Sequence, residues 1–108
     1  MKRLMTILIS CGISLAAFPA SHDNKVVDKL LPPDWRPCTF FTLQGVVAAD
    51  PSLSPSQPWF ALSNASVGYK EMYALLLAAK LSSTPLVVTT SGVSDCGAYP
   101  NVIQIYAL

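Results

Sequence analysis

Residues 66–83, SVGYKEMYALLLAAKLSS, form the one long helical pattern in the chain, and the rest reads as short strands placed before and after it. Tyr69, Met72, Leu76 and Ala79 recur at spacings of three and four, which places them on one face of an α-helix, and Tyr73 and Leu75 widen that face. Ser66 is positioned to cap the amino end with its hydroxyl. Glu71 lies in the first turn and Lys80 in the last, the signs that suit the helix dipole. Pro85 forbids continuation. On the opposite face Ala74, Leu77, Ala78 and Leu81 leave only Lys70 and Glu71 as solvent markers, a composition expected of a helix covered on more than one side.

The chain of 108 residues opens with Met1, Lys2 and Arg3, followed by the apolar run LMTILISCGISLAAF and then Pro19, Ala20 and Ser21. A basic start, a short apolar centre and small residues behind it predict a secretory signal peptide over residues 1–20. The run falls short of the about 20 apolar residues that a membrane span needs. Cleavage is expected after Ala20, which puts Phe18 where a small residue is preferred; the rival cut after Ala17 puts Leu15 there. Leu8, Ile9, Ser10 and Cys11 also fit a loose lipoprotein pattern, but the run before Cys11 is very short and continues well past it. Cys11 is therefore read as part of the discarded segment rather than as a lipid anchor. The expected destination is the periplasm or the extracellular medium.

Loss of residues 1–20 leaves about 88, enough for one small domain, and takes the formal net charge from +1 to about −1 because Lys2 and Arg3 leave with it. No basic patch remains to hold nucleic acid. Cys38 and Cys96 are then an even pair in an exported small domain, which predicts a disulfide worth roughly 4 kcal/mol in the chain-entropy model. Two thiols with one histidine, His22, in what reads as a loose tail do not make a zinc set, and no metal or other cofactor is expected.

Residues 21–36 read as an N-terminal segment, loose over 21–24 and then KVVDKLL at 25–31, either a first strand or one turn of helix, ended by Pro32, Pro33 and Asp34. Residues 38–48, CTFFTLQGVVA, read as a strand with Phe41, Leu43 and Val47 on one side, Thr42 and Gln44 on the other, and Gly45 at a bulge or bend. DPSLSPSQP at 50–58 is a loop and WFALS at 59–63 a short strand. Beyond the helix, LVVTTS at 86–91 is a strand, GVSDCGAYPN at 92–101 a turn-rich loop, and VIQIYAL at 102–108 a final strand with Ile103 and Ile105 facing one way and Gln104 and Tyr106 the other. The fold class is mainly β with one α-helix. Residues 37–108, with 21–36 supplying the first strand, are expected to form a small five-stranded barrel of the oligonucleotide/oligosaccharide-binding (OB) type, its helix between strands 3 and 4. The rival is an open antiparallel sheet with the helix packed across one face.

Within that frame WFAL at 59–62, YKEMYALLLAAKLSSTPLVV at 69–88, the CG pair at 96–97 and the terminal VIQIYAL resemble a group of small exported bacterial proteins that look like the B subunit of subtilase-type cytotoxins. The resemblance spans roughly residues 38–108. It implies an OB-type barrel, a pentamer with central helices and binding of a glycan on a host surface; no sugar-contacting motif carries over residue by residue. The apolar outer side of the helix, at Leu77 and Leu81, is compatible with such a homo-oligomer, and a monomer in which those residues meet the domain's own loops is the alternative.

Catalysis is not expected. The acids of the mature chain, Asp23, Asp28, Asp34, Asp50, Glu71 and Asp95, stand mostly beside turns, and Asp50 and Asp95 read as turn-formers. There is no phosphate-cradling glycine loop and no H-E-x-x-H pattern. The sequence is read as a non-catalytic binding module that meets a glycan or receptor through Trp35, Asp95 and Tyr99, which a Cys38–Cys96 bridge would gather into one aromatic patch, while Trp59 is read as core. The alternative is an envelope protein that binds or inhibits another protein and no sugar.

Overall fold

The computed structural model describes residues 20–32, 37–94, 96–97 and 99–108. The expected signal peptide lies outside the described residues except for Ala20. Six strands and one helix follow in the order β1 (Ser21–Lys25), β2 (Val27–Leu31), β3 (Cys38–Leu43), β4 (Phe60–Ser63), α1 (Tyr69–Ser82), β5 (Leu86–Thr90) and β6 (Val102–Ala107). They make two antiparallel three-stranded sheets, ordered β1-β5-β6 and β2-β3-β4. Among the described residues no continuous ladder closes them into a barrel. Among the same residues one backbone bridge joins the two sheets, a parallel one from Ala61 to Asn101, where the Ala61 N–H donates to the Pro100 carbonyl at 2.9 Å.

The count of six differs from the expected five because the polar residues 21–24 are not a loose tail. They form β1 against β5, with Ser21 opposite Thr89 and His22 opposite Val88. Asn24, at a φ of 56°, falls where the register shifts, and Val26 alone separates β1 from β2. Asn tolerates this left-handed conformation better than most side chains, so it is a natural site for such a break. The helix accordingly lies between the fourth and fifth strands rather than between the third and fourth.

The core forms between the sheets. Phe41, Leu43, Phe60 and Leu62 come from one, Leu86, Val88, Val102 and Ile105 from the other, and Leu76 and Ala79 from the helix, with Tyr69, Met72, Tyr73 and Leu75 packed against them. Phe41 and Phe60, register partners on β3 and β4, stack with centroids 5.0 Å apart. The edge of His22 meets the Phe60 ring, and its Nε2–H donates to the Ala49 carbonyl at 2.7 Å.

The helix buries the face its spacing predicts but starts differently. Gly68 is the N-cap, in the left-handed region at φ 76°, and no side chain caps the end; Ser66 contributes its carbonyl, which accepts from the Tyr69 N–H at 3.1 Å. Glycine takes that φ without the strain a side chain would bring, and in the first turn the Tyr69 hydroxyl meets the Thr39 hydroxyl of β3 at 3.1 Å. Among the described residues none covers the outer face: Leu77 is exposed and Leu81 is 87% exposed.

Strand β3 ends at Leu43, five residues before the expected limit, because Gly45 turns the chain at φ 77° and the Val46 N–H closes back on the Leu43 carbonyl. Val47 is consequently 76% exposed instead of sharing the core with Phe41. On β6 the alternation is broken by a bulge. Gln104 pairs with Thr89 and Val102 with Thr90, so Ile103 is the extra residue and Val102, with Ile105, takes the inward place.

The 50–58 loop is tied down by a buried carboxylate. Asp50 Oδ1 accepts from the Ser52 N–H and hydroxyl at 3.1 and 2.6 Å, and Oδ2 accepts from the Thr90 hydroxyl at 3.0 Å. Thr90 Oγ1 in turn accepts from the Ala20 N–H at 2.9 Å. A local turn-former thus also joins the loop to β5 and to the start of β1.

Two expectations follow, both read by urea denaturation. Leu76→Ala should destabilise by about 2–5 kcal/mol, the cost of a core cavity, whereas Leu81→Ala should stay within about 0.5 kcal/mol. Thr90→Val should cost about 1–3 kcal/mol by leaving a buried carboxylate oxygen without its donor.

Candidate functional site

The side of β3 turned away from the main core carries a second, smaller cluster. Because side chains alternate along a strand, Phe41 and Leu43 point inward while Cys38 and Phe40 take the other face. Register places Leu31 of β2 and Ala61 of β4 on either side of Phe40. Trp59, Cys96 and Tyr99 pack against this cluster.

Cys38 and Cys96 form a disulfide across 58 residues, with Cα atoms 6.5 Å apart. Bonds of this kind persist in oxidising compartments and are rare in reducing ones. The bridge holds the loop before β6 against β3. Cys96 pairs with Tyr99 in a short antiparallel bridge, and Tyr99 meets Phe40 edge to face at 5.0 Å. On the far side of Tyr99, the Pro100 carbonyl is held by the Ala61 N–H. Tyr99 is thus fixed from both directions.

Trp59 is fixed by its neighbour. The Gln57 side chain spans the Trp59 backbone, accepting from its N–H at 2.5 Å and donating to its carbonyl at 2.9 Å. Leu31, Phe40, Trp59 and Tyr99 together line a cleft of about 80 Å³. Trp59 and Tyr99 are half-buried, each with part of its surface open to solvent. Among the described residues no charged side chain lines the cleft, and what they offer is aromatic surface with the Tyr99 hydroxyl and the Trp59 indole N–H as polar groups.

No protein-family model matches the chain, and no curated protein is significantly similar to it.

Of the residues singled out from sequence, Tyr99 lies in the cleft beside the disulfide, while Trp35 and Asp95 lie outside the described residues. Trp59, a candidate binding aromatic for which core packing is the favoured sequence reading, both packs against the smaller cluster and lines the cleft. Phe40, Leu31 and Gln57 were not singled out. The dipeptide Phe40-Phe41 carried a signal, since a strand cannot turn two successive rings to one side. Asp50 is engaged by Ser52 and Thr90. Among the described residues, no three His, Cys, Asp or Glu side chains are grouped to hold a metal ion, and no helix is long and apolar enough to cross a membrane.

Replacing the bridge by Cys38→Ala with Cys96→Ala should cost roughly 4 kcal/mol in thermal or chemical unfolding. If the bridge positions Tyr99, the folded double variant should also show altered tryptophan emission, because the loop that covers one side of the Trp59 cleft is released.

Proposed function

We propose that this protein is a non-catalytic binding module of an exported protein, and that the cleft of Leu31, Phe40, Trp59 and Tyr99 receives the apolar face of a sugar ring. The observation that carries the reading is the pairing of two half-exposed aromatics held in place from outside the cleft, Trp59 by Gln57 and Tyr99 by the disulfide and the Pro100 carbonyl. Rigid aromatic faces with polar edges suit ligands that are apolar on one side and wet on the other, and little side-chain entropy remains to be lost on binding. Export accords with the disulfide and with the tripartite character of residues 1–20.

The strands are best taken as a partly open OB-like barrel. Counting β1 and β2 as one bent strand gives five strands with the helix between the third and fourth; the separation of β1 from β2 by Val26 alone and the Ala61–Asn101 seam between the sheets support that count. The resemblance read from residues 38–108, to small exported proteins that look like the B subunit of subtilase-type cytotoxins, implies the same class of ligand. Assembly into a ring of copies belongs to this reading, with the exposed Leu77 and Leu81 on the outer face of α1 as its contact.

A glycan array probed with the oxidised protein, followed by titration of the best glycan against tryptophan emission, tests the reading. Binding should weaken at least about tenfold, or 1.4 kcal/mol, in Trp59→Ala and in Tyr99→Ala, and less in Leu81→Ala. A folded protein silent across the array, or glycan binding indifferent to both aromatic substitutions, would overturn it.

A further inference from the structure

A larger concavity, about 370 Å³, opens where β4 and β6 part. Its walls are Ser63, Ala65, Ser66 and Val67, on the link from β4 to the helix, and Asn101 and Ile103, at the start of β6. None of these is charged and none is aromatic, so this groove differs in chemistry from the Trp59–Tyr99 cleft.

Its position follows from topology. Each of β4 and β6 is the edge strand of its sheet, and they touch in parallel only at Ala61 and Asn101. Two residues further along, the chains reach Ser63 and Ile103, which would pair if the bridge continued, and the groove opens between them. The bulge at Ile103 leaves that side chain 53% exposed, and Val67 beside it is 98% exposed. Strand β6, VIQIYA, contains no charged residue and no proline, the usual means of blunting a free edge.

Asn101 supplies an independent sign. It is only 7% exposed, its backbone N–H donates to the Val93 carbonyl, and its carbonyl accepts from the Ser91 N–H, yet its side-chain Oδ1 is buried without a hydrogen-bond partner. Such groups are rare in folded proteins because they lose water and gain nothing in return. Among the described residues it is the only buried side-chain polar atom in that condition.

We propose that the groove binds an extended, uncharged segment of a partner protein, which adds to the free edge of β6, donates a hydrogen bond to Asn101 Oδ1 and sets an aliphatic side chain against Val67 and Ile103. A strand edge offers main-chain groups in the repeat that a peptide backbone matches, and the aliphatic walls select among its side chains. The neutral lining disfavours ionic ligands, and the lack of an aromatic face disfavours sugars. This site is independent of the glycan reading.

The test is selection of a phage-displayed library of random 12-residue peptides on the folded, oxidised protein, with enriched peptides made with blocked termini and mapped by amide chemical shifts. Uncharged peptides with Ser, Thr, Asn or Gln beside an aliphatic residue should emerge and shift the amides of Ser63 to Val67 and of Asn101 to Gln104. Asn101→Leu should raise Tm while weakening these peptides at least tenfold, since a residue retained for a ligand is one the fold does better without. Ile103→Lys, at an exposed position, should weaken them as much with Tm unchanged. The proposal is overturned by no enrichment above an unrelated disulfide-bonded protein, by binding that both variants leave intact, by binding lost instead in Trp59→Ala, or by self-association that Ile103→Lys abolishes, which would make the occupant a second copy of this chain.

Discussion

The hydrogen bond from the Ala61 N–H to the Pro100 carbonyl, with the parallel bridge to Asn101 beside it, is the seam on which the rest of the structure depends. At the other end of the molecule the chain passes from one sheet to the other covalently, through Val26. Here hydrogen bonding and side-chain packing join them, with the Cys38–Cys96 disulfide tying β3 to the loop before β6. Each sheet has three short strands with one apolar face, and each buries that face against the other. The seam also arranges the surface, since of three consecutive residues Tyr99 enters the aromatic cleft, Pro100 makes the contact, and Asn101 enters the groove. The disulfide steadies the same loop from its other end.

Two buried polar arrangements do different work around that seam. Asp50, Ser52 and Thr90 form a satisfied set in which each carboxylate oxygen has a donor, and they turn a proline-rich loop into part of the framework. Asn101 is the reverse, a buried carbonyl with nothing to accept from. A satisfied network secures one conformation, whereas an unsatisfied group beside an opening is a cost carried in the free protein. The contrast separates the parts of this surface that serve the fold from the part that the fold alone does not explain.

Much of the fold was legible from local pattern. The inner face of the helix, the strands at Phe60, Leu86 and Val102, and the cysteine pairing all followed from periodicity, β-branched runs and count. What escaped was set by tertiary context. SHDNK has no apolar alternation, and it is a strand because Thr89 and Val88 supply a partner far along the chain. The bulge at Ile103 is fixed by register against Thr90 and leaves no mark in VIQIYA. The cleft was half legible: Tyr99 and the disulfide stood out as a loop aromatic beside a staple, but Trp59 and Phe40 look in sequence like any core aromatics, and only strand geometry turns them outward.

The pairing of β1 with β5 sets an order on the birth of the molecule. Ser21 lies opposite Thr89, so the first strand made has no native partner until residues 86–90 have been made. At synthesis rates of about 5–20 residues per second, that interval lasts roughly 3–14 s. β1 is therefore the first strand of the fold to be made and among the last able to pair.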